Sequence, residues 1–112
     1  MTRFFALSLL FLLTRCASPS AGPPPVDLDE LAPMMADLHV ADALATEVPV
    51  LIRDSIKQVY FDQVLKDYSM NEATFDSLTW IVRQEPEWVD SLYTKIGVLL
   101  AKMEVDRDQQ GQ

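Results

Sequence analysis

Asn71-Glu-Ala-Thr-Phe-Asp-Ser-Leu-Thr-Trp-Ile-Val-Arg-Gln-Glu-Pro-Glu-Trp-Val-Asp-Ser-Leu-Tyr93 decides the fold class of this chain. Asn71 is a good N-cap, and Glu72 complements the positive end of the helix that follows. Phe75, Leu78, Ile81 and Val82 form one apolar side at helical spacing. That helix must stop before Pro86, because the residue preceding a proline is driven out of the α region. Pro86 in turn suits the first turn of another helix. Its inner stripe is Trp88, Val89, Leu92, Ile96, Leu99, Leu100 and Met103. Gly97 lies inside that helix at a cost of about 1 kcal/mol relative to alanine. A close crossing with a neighbouring helix would explain it, and so would chance.

The same reading extends upstream. Ile52, Ile56, Val59, Tyr60, Val64 and Tyr68 trace one face of a helix from about residue 50 to 68, between the breaker Pro49 and the turn Ser69-Met70-Asn71. Before Pro49, Leu31, Met34, Met35, Leu38, Ala41 and Ala45 also recur at helical spacing. Asp27 and Glu30 form a capping-box pattern there, with Val26 and Leu31 placed to make the accompanying hydrophobic staple. Pro33 disturbs the pattern by removing a backbone donor in the second turn. Either the helix kinks there, or it starts at Ala32 with Pro33 in the first helical position. No segment alternates like a strand between hairpin turns. The expected fold is all-α, a small bundle of about four helices, with short connections that favour antiparallel neighbours.

Ahead of the bundle the composition changes. Arg3 and the terminal amine precede Phe4–Leu13, a run in which only Ser8 is polar. That run is about half of the roughly 20 residues needed to span a bilayer, and it fits the apolar region of an export signal. Cleavage just before Cys16 would make that cysteine a lipid attachment site. Leu13 and Thr14 suit such a site, whereas Arg15 occupies a position usually held by a small residue. Ser18 and Ser20 offer an ordinary alternative, with cleavage before Ala21. Cys16 is the chain's single cysteine, so an exported product has no internal disulfide partner for it. Modification is the economical account. Pro19, Pro23, Pro24 and Pro25, among Ala, Ser and Gly, read as an extended tether unable to join a packed core. At about 3.1 Å per residue it would reach roughly 28 Å from the membrane. The expected divisions are a signal over 1–15, the lipidated cysteine and tether over 16–26, the helical domain over 27–106 and a disordered polar tail over 107–112.

Charge narrows the partners. The chain carries 9 Lys and Arg against 17 Asp and Glu. Loss of residues 1–15 removes Arg3 and Arg15 and leaves a net charge near −10. That argues against nucleic acid and against anionic lipid headgroups. A domain of this size buries a modest fraction of its surface, so its stability rests on helix packing, a partner, or both.

Met34-Met-Ala-Asp-Leu-His-Val-Ala-Asp-Ala43, Tyr60-Phe-Asp-Gln-Val-Leu-Lys-Asp-Tyr68, Phe75-Asp-Ser-Leu78 and Glu85-Pro-Glu-Trp-Val-Asp-Ser-Leu-Tyr93 together resemble a family of small Bacteroidota lipoproteins. The family is grouped as domain of unknown function forty-two ninety-six. The resemblance spans about residues 28 to 104. Ser69 stands where that family carries glycine, and Trp80-Ile81 where it carries paired tyrosines. The resemblance implies an envelope lipoprotein with a four-helix domain, and it brings no assigned activity, cofactor or catalytic residue. In Bacteroidota an acidic cluster after the cysteine helps to route lipoproteins to the cell surface. Its absence here favours the periplasmic side of the outer membrane.

Candidate chemistry is sparse. His39 is the only histidine, with Asp42 three residues on and Asp37 nearby. A His–Asp pair can serve as a base or a weak metal site. The blander account is a half-exposed histidine in helix-surface hydrogen bonds. No serine lies in a nucleophile-elbow context, and no glycine-rich phosphate loop or Asp-rich calcium loop is present. No cofactor or metal is expected. If α-helical face and burial follow the Ile52–Tyr68 stripe, then Phe61 and Leu65 point partly outward, and Trp80 is displaced from its own apolar side. With His39, these residues make a candidate partner surface. The favoured expectation is a non-enzymatic lipoprotein, an accessory or scaffold subunit held to the membrane through Cys16. A carrier binding a peptide or acyl chain in a cleft of Met34, Met35, Leu65 and Trp80 is the alternative. A hydrolase or metal enzyme built on His39 is the third.

Overall fold

The computed structural model describes residues 21–111. The leader and Cys16 lie outside them. Among the described residues there are four helices and no strand: α1 (Leu28–Ala45), α2 (Val50–Asp67), α3 (Glu72–Arg83) and α4 (Pro86–Gln110). The chain is a small all-α bundle, as the periodicity predicts.

α1 is the centre of the packing and lies against both α2 and α4. Its start is the capped one: the Asp27 carboxylate accepts from the backbone N–H of Asp29 at 2.9 Å and of Glu30 at 3.4 Å. Such a cap contributes about 1 kcal/mol. Val26 and Leu31 are both buried in the core, as the staple requires. Pro33 therefore sits inside α1 and does not begin it. Leu31, Ala32, Met34 and Ala36 are almost fully enclosed. The end of α1 borrows its cap from α2, since Arg53 Nη2 donates to the carbonyls of Thr46 and Val48 at 3.0 and 3.2 Å.

α2 and α3 are joined by a Schellman turn. Met70 N–H donates to Leu65 O at 2.9 Å and Ser69 N–H to Lys66 O at 3.0 Å. Ser69 takes the left-handed conformation at φ 52°, a position that favours glycine. Asn71 then caps α3 through Thr74 N–H at 2.8 Å. Thr79, buried on α3, gives its hydroxyl to the Phe75 carbonyl and so leaves no polar atom stranded.

α4 opens at Pro86 and buries Leu92 and Ile96, with Trp88, Val89, Leu99 and Leu100 packed around them. Gly97 has open space where a Cβ would stand, so no close crossing explains it. The helix continues to Gln110. The polar end expected to be disordered from residue 107 is thus helical up to that point, with every residue from 101 to 110 exposed.

Two expectations change with packing. On α2, Leu65 is the one residue in the buried class, at 4% exposure. Phe61 meets Phe75 edge-to-face at 5.5 Å. Leu65 thus faces inward, contrary to the sequence expectation, whereas Phe61 is half-buried and borders a surface groove with Leu38 and Lys57, and Ile52 and Val59 face solvent. The segment before α1 is also no free tether from Ala21 onward. Ala21 N–H donates to Glu87 Oε2 and the Trp88 indole N–H to the Gly22 carbonyl, each at 3.0 Å. Gly22 turns there at φ 74°, a conformation that suits a residue without Cβ. Val26 is buried. Farther along, Lys95 bridges to Asp29 at 2.7 Å. The docked segment and α1 therefore run in the same general direction as α4.

Candidate functional site

The candidate partner residues separate into two groups. Leu65 belongs to the core with Phe61 half-buried against it, whereas His39 and Trp80 are exposed. They do not share a surface. Trp80, 64% exposed, sits over a shallow depression with Asp76, Ser77 and Ile81. His39 borders a groove between α1 and α4 with Met35, Leu38, Tyr93, Ile96 and Leu100.

His39 does not form the acid pair that its spacing suggests. The Asp42 carboxylate holds Lys57 Nζ at 2.9 Å across the α1–α2 contact. That hydrogen bond and the lysine charge keep Asp42 below the usual carboxylate range. Asp37 is taken by Tyr68, whose hydroxyl donates to Oδ2 at 2.6 Å. Accepting this bond, the carboxylate favours the protonated phenol, and partial burial adds to it, so Tyr68 is pushed up to about 12. Both acids thus fasten α2 to α1. Among the described residues no group of three or more His, Cys, Asp or Glu side chains converges to hold a metal.

The cleft expected from Met34, Met35, Leu65 and Trp80 does not form. Met34 and Leu65 are enclosed, Met35 borders the His39 groove and Trp80 lies elsewhere on the surface. A different groove of about 590 Å³ lies beside the docked segment, lined in part by Val26, Leu31, Met34, Tyr68, Met70 and Leu78. It is half open, and Asp27 and Glu30 stand at its edge.

The feature missed by the sequence reading is the outer side of α2. Ile52, Ile56 and Val59 fall at i, i+4 and i+7, so they share one helix face. Leu65 and Phe61 are on the opposite face, Leu65 in the core and Phe61 half-buried against it. Ile52 and Val59 are 49% and 59% exposed. At the start of the helix Val50 and Leu51 extend the apolar surface, with Leu51 at 94%, and Leu44 of α1 is exposed nearby in the chain. Two side-chain bonds, Gln58 to Asp62 and Gln63 to Asp67, each at 2.8 Å, run along α2 and hold polar rows in place. The signal was present in the periodicity itself: of the apolar stripe read on α2, Ile52 and Val59 are left exposed while Val64 packs against the core.

No helix of the described residues is long and apolar enough to cross a membrane. Compared with known protein families, curated proteins and solved structures, the chain matches none.

Proposed function

We infer that this is a non-enzymatic envelope lipoprotein, held to the outer membrane through Cys16 on the periplasmic side, and that it serves as an accessory or scaffold subunit for a protein assembly. One observation carries the reading: along the stripe Ile52–Ile56–Val59, α2 leaves Ile52 and Val59 exposed and Ile56 half-buried, while its other side completes the core. A small domain rarely leaves a regular apolar helix face uncovered without a use for it. The export-like leader, the single cysteine beside it and the resemblance to small Bacteroidota lipoproteins support the location. The acidic balance selects a partner segment that is neutral or basic around an apolar centre. A photo-crosslinking residue at Val59 is expected to capture the same envelope protein repeatedly in intact cells, and one at Asp108 is expected not to. Absence of a Val59 adduct, or identical adducts from both positions, would count against the reading. Mass spectrometry of the Cys16 peptide tests the anchor separately, through the mass of attached acyl chains.

The groove beside the docked segment favours a second reading, a carrier for an apolar peptide or acyl chain. Its volume lies within the range of about 300–1,000 Å³ usual for small-molecule sites. A fatty acid added to the protein would then shift the resonances of Met70 and Leu78, and unchanged spectra would remove this alternative.

A further inference from the structure

Resting on the anchored reading, we propose that the docked segment Ala21–Val26 fixes how the bundle stands on the membrane. The end of α4 that carries Glu87 and Trp88 faces the lipid surface, and the α1–α2 turn points away from it. The partner proposed for this face is an uncharged or zwitterionic bilayer surface, because the domain's own charge is strongly negative.

The argument begins with the length of chain between the anchor and the fold. If Ala21 were the start of a loose tether, the domain would tumble about Cys16. Instead, Ala21 and Gly22 are fastened to Glu87 and Trp88, and Val26 is buried. Five residue steps then separate Cys16 from Ala21, the first described residue, which is itself fastened. At about 3.3–3.6 Å per step they span at most roughly 18 Å. That is well short of the roughly 28 Å available to a tether extending to the start of the bundle. An attachment this short keeps the Ala21–Glu87 corner close to the bilayer whatever the rest of the domain does.

The direction of α1 supplies the rest. From Leu28 it leads away from this corner, alongside α4, for eighteen residues. At 1.5 Å per residue that is about 27 Å. The turn at its far end carries Leu44, Val50 and Leu51, the last almost wholly exposed. The apolar start of α2 is therefore presented on the side remote from the anchor, where a second protein has access to it. The α3–α4 turn, with Trp80 a turn upstream of Gln84 and Trp88 in the first turn of α4, is on the anchored side. Indole rings suit the boundary between headgroups and water.

The test makes the anchor chemically, so that it does not depend on what the cell attaches to Cys16. The chain from Cys16 to Gln112 keeps every described residue and contains one thiol. It is isotopically labelled and coupled through that thiol to a maleimide lipid in phosphatidylcholine nanodiscs that also contain a gadolinium-chelating headgroup lipid. The expected result is loss of amide signals from Ala21, Gly22, Gln84, Glu85, Glu87 and Trp88 and of the Trp88 indole signal. Those of Leu44, Val50 and Leu51 persist. A flexible Gly-Ser insertion of twelve residues after Ser20 should flatten this contrast. Equal losses at both ends, or stronger losses at Leu51, would overturn the proposal. So would a contrast that survives the insertion, because the docked segment would then not be what sets the orientation. A cell-derived protein without acyl chains on Cys16 would overturn the anchor reading and leave the measured orientation intact, so the two failures are distinguishable.

Discussion

α1 and α2 are both eighteen residues long, and their circumstances differ sharply. α1 is covered from two sides, by α2 and by α4, and encloses six residues. α2 has α1 on one side and meets α3 near Phe61, and Leu65 alone is fully enclosed. The difference does not follow from apolar content, since α2 carries the larger aliphatic and aromatic side chains. It follows from the number of neighbours. Ala32, Ala36 and Ala45 are small, and they let other elements approach α1 closely. Among the described residues, Ile52 and Val59 on the outer side of α2 are left exposed. Burial is thus decided by position in the bundle, and the surplus hydrophobicity of α2 is what remains for a partner.

The strongest way to break this comparison is to truncate one residue on each helix. Met34→Ala, at a side chain 1% exposed, is expected to lower unfolding free energy by about 2–5 kcal/mol. Val59→Ala should stay within about 0.5 kcal/mol of the parent. Urea denaturation of the isolated domain reads both, and a comparable loss at Val59 would mean that the outer face is covered after all.

A smaller effect sharpens the account of where α2 ends. Ser69→Gly relieves the left-handed backbone of the Schellman turn and should stabilise the domain by about 1 kcal/mol. Destabilisation in the same assay would show that the serine side chain holds the turn.

The smallest effect concerns the bond between the two helices. Tyr68 titrates near 10 when unfolded and about 12 when folded. The folded state keeps the proton longer, so this contribution is fully present below about pH 10 and is lost as pH rises through about 12. Partial exposure of the ring screens the contact and keeps the effect modest. The gap in urea midpoint between the parent and Tyr68→Phe should therefore narrow between about pH 10 and pH 12. A constant gap would detach Asp37 from the stability of the pair.

Much of the fold was legible because it depends on neighbours in sequence. Asp27 and Asn71 cap helices through donors two or three residues away, and Pro49 and Pro86 mark boundaries by local geometry. Which face of α2 turns inward was not legible. Leu65 is buried and Phe61 half-buried against Phe75, and periodicity alone cannot see that. The docked segment escaped for the same reason. A proline-rich run reads as a tether until Trp88 supplies a donor for Gly22. His39 was legible as a rarity, but its pairing was not, because Lys57 and Tyr68 from another helix occupy both nearby acids.

The bonds that fasten α4 to the beginning of the fold have a kinetic consequence. Ala21 to Glu87, Trp88 to Gly22 and Lys95 to Asp29 each join residues 66 apart in sequence. The α1–α2 hairpin, by contrast, closes through nearby contacts such as Arg53 to Thr46. Local pairing of this kind forms early, while distant pairing waits on loop closure. A chain emerging from its amino end would thus complete the hairpin while the side of α1 that receives α4 still faces water. The final helix closes the fold, and until it arrives α1 itself is a binding surface for whatever guards unfinished proteins.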